Sequence, residues 1–265
     1  MSVTYNRNNR NHAIKGRCAA TAAALCGILT TGAAVTAVTT GAVAPRPAAA
    51  AVQIQLVSEK QELELGQQAA REVEAKYQLE TGTSRARLVE QIGRKMAAVS
   101  GRPNLPWKFR VIKEKSINAF SVPGYVYMHT GLLDAIGNDT AALAGVIAHE
   151  VAHTDARHAK EQMEKSTVAG LLGSLLSRGN SKTSGWFNLG ANLVMLNYSR
   201  DDEFEADKKA VQYMQRTGYD PRGMIRFFEK LQSIEGKRSG VVTFFQTHPS
   251  SGDRISRIRQ QISAG

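Results

Sequence analysis

The chain has 265 residues, a formal net charge of +11 and two cysteines, Cys18 and Cys26. This length suffices for one large domain or two small ones. The basic residues are scattered and no recognition motif accompanies them, which argues against a nucleic-acid-binding protein. Residues 1–50 hold five of the 34 basic residues and no acidic one, so the remainder carries a net charge of +6. The remainder is moderately basic. Its charge favours peripheral association with an anionic membrane surface, or attraction to acidic polypeptides.

The first 51 residues have the composition of an export signal. Basic residues at positions 7–17 precede a stretch from Cys18 to Ala44 that is rich in alanine, threonine, glycine and valine, and an alanine run ends the segment. This order predicts a secretory signal peptide at residues 1–51. An uncleaved membrane anchor is the alternative, although such small residues contribute little hydrophobicity. Export predicts that the protein is located in the periplasm or at the exterior of a bacterium. Residues 52–265 are expected to form a single domain, and that domain has no cysteine.

Sequence periodicity then predicts two helices followed by strands. The first helix covers Val57–Tyr77, with Ser58 as N-cap and Gln61 as its capping-box partner. The second helix covers Ser84–Val99. Alternating apolar and polar residues indicate strands next, at residues 107–113, 117–122 and 125–129, with a turn at Pro123–Gly124.

The second half of the chain reads as mostly helical. An apolar helix follows a cap at Asn138 or Asp139 and runs through residue 153. Further helices are expected at residues 186–217, 220–232 and 253–262. The segment 166–185 is expected to form a helix or lid followed by a loop. Together these elements predict an α+β fold, mostly helical, with a small mixed or antiparallel sheet beside the apolar helix.

The sequence His149-Glu150-Val151-Ala152-His153 lies inside this apolar helix. Residues four apart lie one above the other on a helix, so two imidazoles on that face can bind one metal ion. Glu150 is then placed to act as general base, the arrangement of a zinc peptidase. A pair of surface histidines is the alternative.

A catalytic zinc usually takes a third protein ligand from another element. Glu203 and Asp207 are four residues apart on a predicted helix and share one face. Glu203 can bind the metal while Asp207 accepts the spare N–H of a ligand histidine. The alternative is a solvated acidic helix face. His158, five residues beyond His153, is expected to point away from the pair and to be structural.

Four ordered motifs resemble the gluzincin metalloendopeptidases related to the CaaX prenyl protease, HtpX and the mitochondrial Oma protease. The motifs are Ile147–His153 with Arg157-His158, Ser199-Arg200-x-x-Glu203-x-x-Ala206-Asp207, Asn118-Ala119-Phe120 with Pro123-Gly124, and His248-Pro249 with Arg254-Ile255. The resemblance implies a zincin-like domain, one Zn²⁺ per chain and Glu203 as its third ligand. One departure is Pro123-Gly124-Tyr125, where relatives often carry Pro-Gly-Gly. The chain also lacks the several membrane spans of the prenyl protease and HtpX branches.

The same resemblance implies roles for three further groups of residues. His248 and Arg254 would lie near the site as donors to the developing oxyanion, with Tyr198 a weaker candidate. His248 has two alternatives, a packing role and a latch that fills the open zinc position. Asn118, Ala119 and Phe120 would contact substrate backbone along an exposed strand edge, so that a polypeptide binds as an added strand; an ordinary core strand is the alternative.

We therefore expect a zinc-dependent endopeptidase of the bacterial cell envelope that cleaves misfolded or unassembled exported proteins. The competing hypothesis is a periplasmic chaperone or scaffold that binds exposed strands with little or no proteolysis. An exopeptidase is a further alternative, but no motif announces a pocket for a free terminus.

Overall fold

A computed structural model describes residues 57–165, 197–235, 243–249 and 252–264. The predicted signal peptide, and the predictions for residues 166–196, lie outside the described residues. The division of the chain near residue 51 stays a prediction. Within the described residues, no helix combines the length and the apolar character that crossing a membrane requires.

The first helix, α1, covers Glu59–Lys76, and its N-terminus is the predicted capping box. Ser58 Oγ accepts a hydrogen bond from the Gln61 backbone N–H, and the Gln61 side chain accepts one from the Ser58 N–H. Each contact satisfies a backbone donor that a helix start otherwise leaves free. The second helix, α2, covers Ser84–Ala98 and is capped by the Thr83 side chain.

Four strands form one mixed sheet in the order β1-β2-β4-β3. The strands are β1 (Leu79–Glu80), β2 (Lys108–Ile112), β3 (Ala119–Val122) and β4 (Tyr125–His129). A tight turn at Gly124, with φ of +85°, joins β3 to β4 as an antiparallel hairpin. β2 pairs with β4 in parallel, so β3 lies at the edge of the sheet. The predicted α+β class with a small mixed sheet is confirmed.

A short helix, α3 (Thr130–Ile136), leads into the central helix α4 (Thr140–Ala156), where the Asp139 side chain accepts from the Ala142 N–H. Every residue from 142 to 154 is buried. Gly145 lies against Met224 so closely that a Cβ there would be 2.7 Å from the methionine side chain. A helix enclosed on all sides holds its polar side chains in fixed surroundings.

α4 ends at Arg157, which adopts the left-handed conformation with φ of 62°. Residues 158–165 resume as a helix, α5. Beyond the undescribed segment, the helices are α6 (Arg200–Thr217), α7 (Arg222–Glu235), α8 (Phe244–Thr247) and α9 (Gly252–Ala264). α6 begins with a capping box between Ser199 and Asp202. It packs along α4, and this packing fixes which face of α6 contacts α4.

Candidate metal centre

Two histidines of α4 and one carboxylate of α6 converge at the interface of these helices. His149 Nε2 and His153 Nε2 lie 3.0 Å apart. Glu203 Oε1 lies 3.4 Å from His153 Nε2, and its Oε2 lies 3.5 Å from His149 Nε2. None of the three residues is more than 3% exposed. The capping box of α6 sets the first turn of that helix and so directs Glu203 toward α4.

His248 joins the same cluster from the turn after α8. Its Nδ1 lies 3.0 Å from Glu203 Oε1 and 3.3 Å from His149 Nε2. The ring stacks on Phe244, with centroids 4.6 Å apart, and the backbone N–H of His248 donates to the Phe244 carbonyl. One ligand atom from each of His149, His153, Glu203 and His248 lies within 4.8 Å of the others.

The donor set fits a zinc ion. Ligand atoms about 2.1 Å from a tetrahedral zinc lie about 3.4 Å from one another. The contacts given above among the four residues, 3.0–3.5 Å, match that spacing. Three imidazoles and a carboxylate are also the ligand types that zinc prefers.

Glu150 places a further carboxylate beside the cluster. It is completely buried, and neither of its oxygens has a hydrogen-bond partner among the described residues. Its Oε1 lies 3.4 Å from His248 Nε2. Burying a carboxylate without a donor costs free energy, because the group loses the water that would otherwise solvate it. Such a residue is therefore a candidate for a functional role.

Asp207 and Arg254 lie behind the ligands. Asp207 Oδ1 is 3.0 Å from His149 Nδ1, within reach of a hydrogen bond that would fix the ring orientation. Arg254 donates from Nε and Nη2 to the two oxygens of Asp207, at 2.7 and 2.8 Å. Its Nη1 lies 2.5 Å from Glu203 Oε2 and donates to the Pro249 carbonyl. These contacts differ from the free oxyanion donor that the sequence comparison implied, because the guanidinium is committed to two carboxylates and is 1% exposed.

Neighbouring charges hold two carboxylates of the cluster in their ionised form. Burial opposes ionisation of Glu203, but the charges of His248 and Arg254 outweigh it and hold the Glu203 pKa well below its usual range. Burial likewise opposes ionisation of Asp207, and Arg254 lowers its pKa. Burial disfavours the charged form of His149, yet hydrogen bonds with Asp207 and Glu203 raise its pKa to about 9. For His153, burial and then the His149 charge lower the pKa.

The sequence-based prediction for the orientation of His158 was wrong. His158 Nδ1 lies 2.9 Å from His153 Nδ1, so the expectation that it points away was wrong. That expectation assumed an unbroken helix, whereas left-handed Arg157 turns the chain back toward His153. The Tyr198 ring stacks on the His153 ring with centroids 3.9 Å apart. Arginine carries no sequence signal for a left-handed residue, so periodicity alone could not reveal this arrangement.

The predicted substrate strand lies at the edge of the sheet, and the side chains of Ala119 and Phe120 are buried. Ala119 is fully buried and Phe120 is 5% exposed. The Ile117 carbonyl, on the outer side of this edge, accepts a hydrogen bond of 3.1 Å from the Phe244 N–H. The segment that carries His248 therefore binds the chain just before this edge, and the substrate role of Asn118, Ala119 and Phe120 stays a prediction. Asn118 is only partly buried and lines a cleft beside the cluster.

Comparison with known proteins supplies the remaining evidence. Residues 83–262 match the sequence profile of peptidase family M48. The chain is 31% identical to the mitochondrial metalloendopeptidase OMA1 of Schizosaccharomyces pombe over 66% of this chain and 52% of that protein. It is 28% identical to the beta-barrel assembly-enhancing protease of Escherichia coli (strain K12) over 77% of this chain and 44% of that protein. It is 29% identical to the metalloprotease LoiP of the same organism, over 82% of this chain and 86% of that protein.

The chain thus spans about half the length of the first two relatives and most of the third. The matched region contains the two histidines of α4, the acidic face of α6 and the His248 turn. The profile match and the buried ligand cluster together show that the chain belongs to peptidase family M48, the zinc metallopeptidases.

Proposed function

We propose that the chain is an endopeptidase of the bacterial cell envelope, in which His149, His153 and Glu203 hold one zinc ion. The observation that carries the proposal is the convergence of these side chains from two helices, with spacings of 3.0–3.5 Å that suit a tetrahedral ion. Zinc, when bound, polarises the scissile carbonyl and lowers the pKa of its water.

Glu150 is the proposed general base. Its carboxylate has no hydrogen-bond donor among the described residues and lies on the same helical turn as His149, so it is free to accept a proton from the attacking water. The same carboxyl group then returns the proton to the leaving amine. Asp207 orients His149 through Nδ1, and Arg254 orients both Glu203 and Asp207. We propose positioning, not oxyanion contact, for Arg254.

His248 is proposed as a latch. Its Nδ1 lies among the ligand atoms, within 3.3 Å of His149 and 3.0 Å of Glu203. The same short segment binds the Ile117 carbonyl, two residues before β3, through the Phe244 N–H. Movement of residues 243–249 would free a ligand position for water. The same movement would free the Ile117 carbonyl to pair with substrate. An extended polypeptide would then pair with β3 near Asn118, as an added strand.

The substrate class rests on two separate supports. One relative is named for enhancing beta-barrel assembly. The composition of residues 1–51 predicts export of this chain too. We therefore propose misfolded or unassembled exported proteins as substrates, with any contact of the basic domain with a membrane being peripheral.

The deciding experiment measures casein cleavage by the mature protein, with and without a chelator. We expect cleavage that the chelator abolishes, one zinc per chain by metal analysis, and a loss of about 10²–10⁴-fold in turnover for Glu150→Gln. That variant should keep its zinc, because Glu150 is not a proposed ligand. Strand binding that survives the chelator without cleavage products would favour the chaperone or scaffold hypothesis instead.

The role of His248 is tested by His248→Ala in the same assay. Increased turnover supports the latch, since the substitution frees a ligand position. Decreased turnover with unchanged zinc content would contradict the latch and support the oxyanion donor. Unchanged turnover would remove His248 from the mechanism and leave a packing role against Phe244.

A further inference from the structure

His158 lies behind the second histidine of the metal cluster and has no part in the mechanism above. Its Nδ1 is 2.9 Å from His153 Nδ1, within hydrogen-bond distance. His158 is 2% exposed and His153 is 1% exposed, so this contact is shielded from bulk solvent. The outer nitrogen of His153 therefore faces an imidazole, whereas that of His149 faces the Asp207 carboxylate.

The left-handed turn at Arg157 brings His158 to this position. On an unbroken helix, a residue five positions beyond His153 would point about 140° away from it. Arg157 instead has a φ of 62°, and the helix resumes at residue 158. This conformation is uncommon for a residue other than glycine, and beside an active site it is often maintained for function.

The hydrogen positions of the two rings follow from the geometry of the cluster. His153 Nε2 lies among the ligand atoms, 3.0 Å from His149 Nε2 and 3.4 Å from Glu203 Oε1. When Nε2 binds a metal ion, a neutral His153 carries its hydrogen on Nδ1. That N–H donates to His158 Nδ1, which is then the nitrogen without a hydrogen. His158 consequently carries its own hydrogen on Nε2.

Two carboxylates of α6 favour that form of His158. Glu205 Oε2 lies 3.7 Å from His158 Nε2, and Asp202 Oδ1 lies 4.0 Å from it. These distances are too long for direct hydrogen bonds, but nearby negative charges favour an N–H on the nitrogen that faces them. The start of α6 thus supplies the metal ligand Glu203 and also the charges behind His158.

We propose that His158 is a positioning residue for zinc binding, which accepts the Nδ1 hydrogen of His153 and so fixes the tautomer and ring orientation of that ligand. This inference rests on the proposed function, in which His153 holds the zinc. A neutral nitrogen accepts an N–H less strongly than a carboxylate does. The contribution of His158 to zinc affinity should therefore be smaller than that of Asp207.

The experiment measures the zinc affinity of the mature protein by competition with a chromophoric chelator. We expect His158→Leu to lose about tenfold in affinity, the lower end of the usual effect of residues that orient a metal ligand. His158→Asn should recover most of this loss, because an amide oxygen near the position of Nδ1 can accept the same hydrogen. Urea denaturation in the presence of a chelator checks that each variant is folded.

The matched control is His129→Leu. His129 is also buried, at 5% exposure, but its Nδ1 lies 2.8 Å from Ser116 Oγ and not from a metal ligand. This variant should keep the wild-type zinc affinity.

A second measurement needs no substitution, so it applies even where a variant does not fold. Long-range ¹H–¹⁵N correlation spectra of the zinc-loaded wild type report which nitrogen of each ring carries the hydrogen. We expect the hydrogen on Nδ1 of His153 and on Nε2 of His158.

Three outcomes would overturn the positioning role. They are a wild-type zinc affinity in His158→Leu, an affinity of His158→Asn no better than that of His158→Leu, or a hydrogen on Nδ1 of His158 in the zinc-loaded protein. In each case zinc binding that is lost in His153→Ala would still support the proposed ligands. A zinc affinity unchanged by His153→Ala would instead remove that ligand set, and the role of His158 with it.

Discussion

Two buried charged clusters lie against α4, and they differ in how completely their charges are paired. In the first, Arg102 donates to both oxygens of Glu62, at 2.7 and 3.1 Å, and to the Thr154 carbonyl at 3.0 Å. The second is the cluster of candidate metal ligands, where neither oxygen of Glu150 has a hydrogen-bond partner among the described residues. Both Glu62 and Glu150 are almost completely buried.

This difference is what we expect between a structural ion pair and the proposed catalytic site. Each oxygen of Glu62 accepts a hydrogen bond from Arg102, which offsets part of the cost of burying its charge. Glu150 has lone pairs but no hydrogen-bond donor among the described residues, a deficit that a cation or a reacting water would satisfy. Burial of charge alone would not distinguish these clusters. The count of unpaired acceptors does.

The largest stability effect is expected at the paired cluster. Arg102→Met leaves Glu62 buried without its partner and should lower the free energy of unfolding by about 3–5 kcal/mol. Urea denaturation in the presence of a chelator measures this value without a metal contribution. The double variant Glu62→Leu/Arg102→Met should recover most of the loss, because it leaves no unpaired charge.

The comparison is sharpened by Glu150→Gln under the same conditions. Its carboxylate has no donor to lose, so we expect no decrease in the free energy of unfolding. A decrease as large as that of Arg102→Met would show that Glu150 is paired like Glu62, and the contrast between the clusters would fail.

The next effect concerns metal affinity. Asp207→Asn replaces the carboxylate that lies 3.0 Å from His149 Nδ1 and binds Arg254. We expect a loss of about 10–100-fold in zinc affinity, because outer residues orient the ligand imidazole. Competition with a chromophoric chelator measures the affinity. Asp201→Asn, an exposed change in the first turn of the same helix, is the matched control and should leave it unchanged.

A smaller loss of stability is expected for a pair nearer the surface. Glu80 accepts from Arg85 Nε and Nη2, both at 2.6 Å, and Arg85 is 41% exposed. These hydrogen bonds, together with one from Thr83 and against the opposing effect of burial, lower the Glu80 pKa from 4.5 to about 2. Solvent screening limits the pair to about 1 kcal/mol.

The sign of its pH dependence follows from that lowered pKa. The stabilisation is present above the unfolded-state pKa and is lost as the pH falls through the folded-state pKa. Glu80→Gln should therefore be less stable than the wild type at about pH 7, with a smaller difference at about pH 3. Urea denaturation at both pH values measures this. A difference that grows on acidification would contradict the assignment.

The helix starts were predictable because their signals are local. Ser58 with Gln61 announced α1, and Asp139 was one of two caps proposed for α4. β1 was not predicted, because its two residues, Leu79–Glu80, are too few to show alternation. The parallel pairing of β2 with β4 was also beyond the sequence, since it depends on where the β3–β4 hairpin packs.

The candidate site divides in the same way. Spacing of four residues brought His149 over His153 and placed Glu203 and Asp207 on one face, because helix geometry fixes these relations. His158 returns to His153 only through the left-handed conformation of Arg157, a tertiary effect with no local signal. The two carboxylate partners of Arg254 depend on how α9 packs, which no spacing encodes.

The contact between α1 and Arg102 limits how far the N-terminus of this protein can be truncated. The family profile begins at residue 83, yet Glu62 lies upstream of that point, on α1. A truncated protein starting at residue 83 would strand the Arg102 guanidinium beside the last turn of α4 and would also remove β1 from the sheet. Soluble expression therefore calls for a start at or before Val57, whose own N–H reaches Glu164 on α5.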